Sequence, residues 1–560
     1  MTIYEKFIGF SRDDVKTYEE AKARFKITYP ENFNFAYDVI DVLGKEKPDK
    51  LAMIWLSKDR EEKRFTFEDM SLLSNKAANY FTSLGIKKGD RVILVLKRSY
   101  YFWVCMLGLH KIGAIPIQAT NMLMEKDYEY RCEKAKNVAV IITCDGECAQ
   151  IFDNAYPNCP SVKFRLINGK VKREGWLDLE TGIENASDVW TRPVGDKATK
   201  ATDVMLMAFS SGTSGYPKML AHDFTYPLGH ICTGVFWHRV VDGGLHFTIS
   251  DTGWLKSLWG KFYGQWFGES AVLVYDFDRF HAADILDVLQ TYKVNTFCVP
   301  PTMYRLMLQE NVKEYDLTSL RHCCSAGEAL NPEIFNKWKE ATGLEIYEGF
   351  GQTETTLSIA TLYPFDKPVT GFIGRAALGY DIRVIGDDGE EVNQGETGEL
   401  CIVATKDHSP CGVTMGYVDD EEGDARVWRE GFFHTGDTAY TNERGRIAYV
   451  GRNDDVIKSS GYRIGPFEVE SVLLEHPAVF EVAVTGVPDP VRGFVVKATI
   501  VLQKGYVGDD DLIKELQNYV KLHTAPYKYP RVVEFVSELP KTFNGKIRRN
   551  AIREMEKNKK

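Results

Sequence analysis

Hydrophobic positions along the chain fall into an alternation of strand-like and helix-like stretches. RVILVL (Arg91 to Leu96) is apolar almost throughout, as a strand buried on both faces requires. VAVIIT (Val138 to Thr143), AVLVY (Ala271 to Tyr275) and TFCVP (Thr296 to Pro300) repeat that pattern. Between such runs the period becomes helical. Met70, Leu73, Ala77, Phe81 and Leu84 share one helix face, opened by a capping sequence at Thr66 to Asp69 and closed by Gly85, and Ala282 to Gln290 forms a further helix. Strands alternating with helices predict mostly parallel sheets covered on both faces, an α/β fold of two doubly wound subdomains. From about Gly371 the texture shortens to IRVIGDDGEEV, TGELCIV, GFFHTGDTAY and GRIAYVGR, which predicts a small antiparallel, β-barrel-like part. After GRNDDVIK the pattern resumes in a shorter α+β unit. The expected division is a large N-terminal domain over 1–453, its barrel-like part at about 371–453, and a small C-terminal domain over 454–560.

A chain of 560 residues exceeds what one core organises, in keeping with that division. The formal charge of −10 argues against a nucleic-acid binder, but leaves room for local basic clusters that hold anions. No apolar run is long enough to cross a bilayer. The segment MTIYEKFIGFSRDDVKTYEEAKARF has no apolar signal core and carries too many acids for a transit peptide, so the expected location is cytoplasmic. Among the eleven cysteines, Cys144 with Cys148 and the vicinal Cys323–Cys324 lack zinc spacing; reduced, mostly buried thiols are expected.

SSGTSGYPK, Ser210 to Lys218, concentrates chemistry. Ser210, Ser211, Thr213 and Ser214 supply hydroxyls, Gly212 and Gly215 let backbone N–H groups approach an oxyanion, and Lys218 adds a charge. The spacing is not that of the common NTPase loop, because Gly212 and Gly215 are too close and Pro217 precedes the lysine. A Ser/Gly-rich surface turn is the plain alternative.

This loop resembles the signature of the adenylate-forming superfamily of acyl-CoA synthetases, firefly-type luciferases and peptide-synthetase adenylation domains, and the resemblance continues in order along nearly the whole chain. SAGEALNPE resembles the adenine-contacting turn and implies Gly327, Glu328 and Ala329 at the base. EGFGQTET resembles the central motif: Glu348, Gly349, Phe350, Gly351 and Gln352 at the nucleotide, with Phe350 flanking the adenine, Thr353 at the α-phosphate and Glu354 on Mg²⁺ with Thr213. HTGD implies Asp437 on the ribose hydroxyls, and GRNDDVIKSSGYRIGPFEVE implies Arg452 on the ribose, Asp454 as hinge and Arg463 on phosphate. PKTFNGKIRR implies Lys546 as the catalytic lysine. Taken singly, Asp437 also suits a turn cap, Arg452 an acid partner and Lys546 a solvated charge; together they imply the family.

The implied chemistry is attack of a carboxylate on the α-phosphorus of ATP, giving acyl-AMP and pyrophosphate, then transfer of the acyl group to CoA. Two anions must meet, so Lys546, Mg²⁺ and the loop neutralise charge as it develops, and no protein nucleophile is required. His222 and His238 are candidates by residue type, more readily read as structural. For the second step the family rotates its C-terminal domain about the hinge, which implies that Ser460, Gly461 and Tyr462 line a pantetheine tunnel. Arg492 and Tyr529, in YKYPR, are chosen for the CoA nucleotide, although a solvated basic patch would look alike.

In acetate-specific relatives a Trp before the Gln-Thr-Glu closes the acyl pocket; here that position is Gly351, which argues against a two-carbon limit. Each extra methylene discriminates by only about 1–3 kcal/mol. SDTGWLKSLWGKFYGQW lies where the family builds the acyl wall, and Trp254 and Trp259 are placed to shorten the pocket again. Lys256 in that wall is expected to snorkel to the rim or meet the CoA path, with a contact to the substrate carboxylate as the minor reading. Trp237 is read either as a gate between ATP site and CoA tunnel or as a packed core residue. The wording most resembles the medium-chain acyl-CoA synthetase branch, implying short-, medium- or branched-chain acids. An arylcarboxylate-CoA ligase is the near rival, and a carrier-protein-loading or light-emitting enzyme is less favoured. A non-enzymatic nucleotide-binding protein stands against retention of Lys546, Glu354 and Asp437. The partners expected are small molecules, ATP, CoA and the acid, with a homodimer left open.

Overall fold

The computed structural model describes residues 1–144, 146–210, 217–459, 462–490, 492–541 and 547–557, apart from the side chains of Lys458, Tyr462 and Arg463. Two large sheets dominate. In the first, strands Arg91–Val95, Ile115–Gln118, Ala139–Thr143 and Phe164–Asn168 run parallel; Val204–Ser210 joins them and turns back antiparallel into Lys218–Asp223. The largely apolar, buried runs of Arg91–Val95 and Ala139–Thr143 match burial from both faces. In the second, Leu51–Leu56, Ala271–Tyr275, Leu245–Thr248, Thr296–Cys298, His322–Ala326 and Ile346–Phe350 form a parallel core with antiparallel strands at its edges.

The capping sequence forms as expected. Thr66 Oγ1 accepts from Asp69 N at 3.2 Å, Asp69 Oδ2 accepts from Thr66 N at 2.8 Å, and the helix Phe67–Ser83 buries Met70, Ala77 and Phe81. The strand expected over Thr296 to Pro300 stops at Cys298, because Pro301 opens the helix Pro301–Met307. Two wide π-helical turns, Ala36–Asp41 and Cys232–Trp237, were not expected. Both lie in a continuous core that joins the two sheets through Trp103, Phe236, Trp237, Trp259 and Trp266.

A third, antiparallel sheet holds Ile382–Ile385, Gly398–Val403, Trp428–Arg429, Phe432–Thr441 and Ile447–Arg452. The last sheet, Ile457–Ser459, Tyr462–Ile464, Val479–Asp489, Gly493–Leu502 and Val532–Phe535, packs on helices Pro466–Leu474 and Asp510–His523 around Val482, Ile500 and Leu516. The chain is thus an α/β protein with a large N-terminal and a small C-terminal domain. No described helix is long and apolar enough to cross a membrane.

Candidate active site

The site forms where strands His322–Ala326 and Ile346–Phe350 end side by side, with Ala326 opposite Gly349. Crevices outside the carboxyl ends of parallel strands are where open α/β sheets bind ligands. Gly327 turns the chain at φ +99°, a left-handed conformation that glycine adopts without strain. Glu328 then accepts from Thr302 Oγ1 at 2.6 Å, with the half-buried Ala329 beside it. Glu348 accepts from Leu330 N at 3.1 Å and so ties this turn to the next strand; burial pushes its carboxyl up to about 7.

Past Phe350 the chain folds over itself, Gln352 N donating to Thr355 Oγ1 at 3.0 Å. The Gln352 side chain donates to Thr435 O at 2.8 Å and to Asp437. Tyr449 OH donates to Asp437 Oδ1 at 3.1 Å, and Arg452 Nη1 lies 3.7 Å from Oδ2. Burial still pushes the Asp437 carboxyl up to about 6, against the pull of Arg452, Tyr449 and Gln352. The rings of Phe350 and Tyr449 stand 5.8 Å apart next to it. Glu399 braces the Asp437 turn: its Oε1 accepts from Gly436 N at 3.0 Å and its Oε2 from His434 Nδ1 at 2.9 Å. Cys401 brings a third potential ligand atom within 4.8 Å of these two side chains. Both Glu399 oxygens are already engaged, however, and a thiol is not a donor for Mg²⁺.

Glu354 accepts from Tyr417 OH at 2.9 Å through Oε1, while nothing among the described residues donates to Oε2. A carboxylate oxygen is the kind of hard donor that Mg²⁺ takes. Lys218 Nζ lies 4.7 Å from the centre of the Tyr417 ring and 2.7 Å from Asp420 Oδ2. Ser210 pairs with Lys218 across the strand pair, Ser210 Oγ donating to Lys218 O at 3.4 Å, so both ends of the Ser210–Lys218 segment are pinned near Glu354. Behind Thr353, the buried His222 donates from Nε2 to the Thr353 carbonyl at 2.9 Å; burial pushes the imidazole down to about 4, which keeps it neutral. His238 is likewise buried, with Nδ1 2.9 Å from Gln265 Nε2, and its pKa is driven well below the usual range by burial. Both imidazoles support backbone or amide groups.

Two glycines of this crevice abut Trp237 and Trp259. A Cβ on Gly349 would lie 2.6 Å from the Trp237 ring, and one on Gly351 would lie 2.4 Å from Trp259 Cη2. Space released at Gly351 is therefore filled by the Trp259 indole, which is buried. Trp237 is fully buried and donates from Nε1 to Tyr347 O at 3.1 Å. The expectation that Lys256 snorkels to the rim is corrected: its ammonium is buried, 5.7 Å from the Trp237 ring and 5.6 Å from the Trp259 ring. The negative faces of two indoles draw the cation inward. Trp254 sits half-buried in the turn that follows Asp251.

Gly327, Glu328, Ala329, Glu348 to Glu354, Asp437 and Arg452 thus share one crevice, with Ser210 and Lys218 joined to it through Tyr417. Arg452 also lies 3.7 Å from Asp454. Arg492 is exposed, its backbone N donating to Asp489 Oδ1 at 2.8 Å. Tyr529 lies between Lys521, at 4.2 Å, and Arg531, at 4.5 Å, in a basic patch. Ser211, Gly212, Thr213, Ser214, Gly215, Ser460, Gly461 and Lys546 lie outside the described residues, as do the side chains of Tyr462 and Arg463. Sequence reasoning missed Tyr417, Asp420, Tyr449 and Thr302. For Tyr449 a signal existed, an aromatic two residues before the glycine of GRND in a strand facing HTGD.

The fold and this crevice define a nucleotide-binding α/β enzyme. Residues 41–418 match the AMP-binding enzyme family and 468–546 the AMP-binding enzyme C-terminal domain. The chain is 41% identical over 548 residues to acyl-coenzyme A synthetase ACSM3, mitochondrial, of Pongo abelii, spanning 96% of this chain and 92% of that one. To acyl-coenzyme A synthetase ACSM5, mitochondrial, of Homo sapiens it is 40% identical, spanning 94% and 91%. Among solved structures, the anthranilate CoA ligase AuaEII in complex with anthranoyl-AMP superposes with a TM-score of 0.85 at 28% identity, covering 94% of this chain and 98% of that one. The Brucella canis acyl-CoA synthetase superposes with a TM-score of 0.73 at 30% identity, covering 97% and 100%. The chain belongs to the AMP-binding enzyme family and, within it, to the acyl-coenzyme A synthetases, which are AMP-forming acid–thiol ligases.

Proposed function

We propose that this acyl-CoA synthetase joins a short-, medium- or branched-chain carboxylic acid to CoA through an acyl-AMP, releasing AMP and pyrophosphate. The contact of the Trp259 indole with Gly351 supports the choice of acid, since an indole there would close an acyl pocket with a flat apolar wall. A wall of that kind admits a few methylenes or a branch and rejects a long chain by overpacking. The second reading, an aryl acid, draws on the indole pair and on the likeness to the anthranilate ligase.

In the adenylation step Asp437 accepts from the ribose hydroxyls and Arg452 lies beside it. Gly327, Glu328, Ala329 and Phe350 bound the adenine. Thr353 orients the α-phosphate, the Ser210–Lys218 loop holds the β- and γ-phosphates, and Lys546 neutralises charge between the attacking carboxylate and the α-phosphate. Glu354 with Thr213 would hold Mg²⁺, which when bound screens the phosphate charge. In the thioesterification step the domain over 454–560 turns about Asp454 against the domain over 1–453. Ser460, Gly461 and Tyr462 then line the pantetheine path, while Arg492 and Tyr529 meet the CoA nucleotide.

CoA-dependent AMP release over a panel from acetate to decanoate, with 2-methylbutyrate and benzoate, tests the substrate. The highest kcat/KM is expected between propionate and octanoate or at 2-methylbutyrate. Benzoate in first place establishes the aryl reading, and acetate in first place refutes the reading of Gly351.

A further inference from the structure

Lys546 lies outside the described residues, but its surroundings on the chain do not. Lys541 and Ile547 pair as an antiparallel bridge, and Arg548 N donates to Pro540 O at 2.8 Å. Helix Arg549–Lys557 starts two residues later. At its first position Arg549 makes a forked pair with Glu470: Nη2 stands 2.7 Å from Oε2 and 2.8 Å from Oε1, and Nε stands 3.2 Å from Oε1. Glu470 is buried in helix Pro466–Leu474, and its Oε1 also accepts from Val484 N at 2.8 Å. One turn further on, Arg553 Nη1 lies 2.6 Å from Oδ1 of Asp455, the residue after the expected hinge Asp454. On the other side of that hinge, Arg452 lies 3.7 Å from both Asp437 and Asp454.

Arg549 is not the only residue that docks the helix. Ile552 is buried against Ala483 and Leu539, and Glu556 near the far end pairs with the buried Lys497. Apolar packing holds a helix about as well as a buried ion pair, which is expensive to desolvate. What a guanidinium–carboxylate fork adds is direction, since two parallel hydrogen bonds fix both angle and distance. That directional contact sits at the helix end nearest Lys546, and its neighbour Arg553 reaches the hinge.

We propose that Glu470 and Arg549, with Asp455 and Arg553, are positioning residues that fix the Lys546 segment to the hinge, so that the lysine arrives at the α-phosphate in one orientation. The inference rests on Lys546 acting in adenylation. It predicts that loss of the fork harms acyl-AMP formation and spares thioester formation, which presents a different face of the domain.

The test uses full-length protein and measures both half-reactions in single turnover: acyl-AMP formation from acid and ATP, and conversion of supplied acyl-AMP by CoA. Glu470→Gln keeps an acceptor for Val484 and removes the charge that Arg549 pairs with. A misplaced catalytic group costs about 10- to 100-fold, and a loss of that size is expected in adenylation alone, with thioesterification changed less than about 2-fold. Arg549→Lys, which keeps the charge and loses the fork, should shift the ratio the same way and carries the test if Glu470→Gln does not fold. Glu556→Gln, a change at the far end of the same helix, should lower the melting temperature and leave the ratio unchanged. Equal losses in both half-reactions, or no loss in adenylation, overturn the proposal. If Lys546→Ala still forms acyl-AMP, the assigned lysine role fails; if it does not while Glu470→Gln does at full rate, only the positioning role fails.

Discussion

Asp437 offers a prediction in which binding and stability pull in opposite directions. Burial raises its carboxyl from the ordinary 3.8 to about 6, so the free protein holds the charged form at a penalty of about 3 kcal/mol. For an acid raised in the folded state, the stabilisation is fully present below the unfolded value and is lost as pH rises through the folded value. Asp437 therefore destabilises the free enzyme progressively between about pH 4 and pH 6, and Glu348, pushed up to about 7, extends that trend. Ribose hydroxyls donating to Asp437 favour the ionised form, so AMP should bind more tightly as pH rises through about 6. Asp437→Asn removes the charge and keeps the shape. Hydrogen bonds to a charged acceptor are worth about 1.5–3 kcal/mol, so AMP and ATP affinity should fall about 10- to 100-fold. The thermal shift produced by AMP, measured from pH 5 to pH 8, should grow with pH in the parent protein and grow less in the variant. The variant without nucleotide should also lose less stability between pH 5 and pH 7. An equal pH dependence in both proteins, or an unchanged KM for ATP, refutes the placement of the ribose on this carboxylate.

Trp259→Ala removes the indole that fills the space beside Gly351. It should cost about 3–5 kcal/mol of stability, read by chemical denaturation. At about 0.8 kcal/mol per buried methylene, two or three newly accommodated methylenes should raise the octanoate-to-propionate ratio of kcat/KM by about 10- to 60-fold; an unchanged chain-length profile contradicts the wall. Tyr417→Phe keeps the ring under Lys218 and deletes the hydrogen bond to Glu354. It should lower kcat/KM for ATP about 10-fold and raise the Mg²⁺ requirement, with little change in KM for the acid.

The parallel strands were legible because burial on both faces leaves an uninterrupted apolar run, and the helix at Phe67 because its capping residues are local. The crevice was legible for a related reason: Gly327 to Ala329 and Glu348 to Glu354 are each contiguous, lying at or just past strand ends that the fold brings side by side. Tyr417 and Asp420 were not legible. They reach Glu354 and Lys218 through strand Gly416–Tyr417, which pairs with Lys218–Asp223 in a different sheet from the strand before Glu354, and no local pattern encodes that meeting. The π-helical turn ending at Trp237 escaped because its extra residue per turn is set by tertiary packing rather than by period.

Gly351 shows the limit most clearly. A glycine in a binding motif states that a side chain is missing, and says nothing about what occupies the room. At Gly349 and Gly351 the occupants are Trp237 and Trp259, each carried by a distant part of the chain and each too close to leave room for a Cβ. Lys256 Nζ lies 5.7 Å from the Trp237 ring and 5.6 Å from the Trp259 ring, so a change in either indole alters the surroundings of the cation. On the proposed placement of the acyl chain, pocket length would be set by the Trp237–Lys256–Trp259 cluster, with Gly351 leaving the room that Trp259 occupies. A bulkier residue at Gly351 would meet the Thr356 carbonyl at 2.4 Å as well as the indole. Backbone cannot yield as a side chain can, so such a residue should distort the Gln352–Asp437 contact before it shortens the pocket.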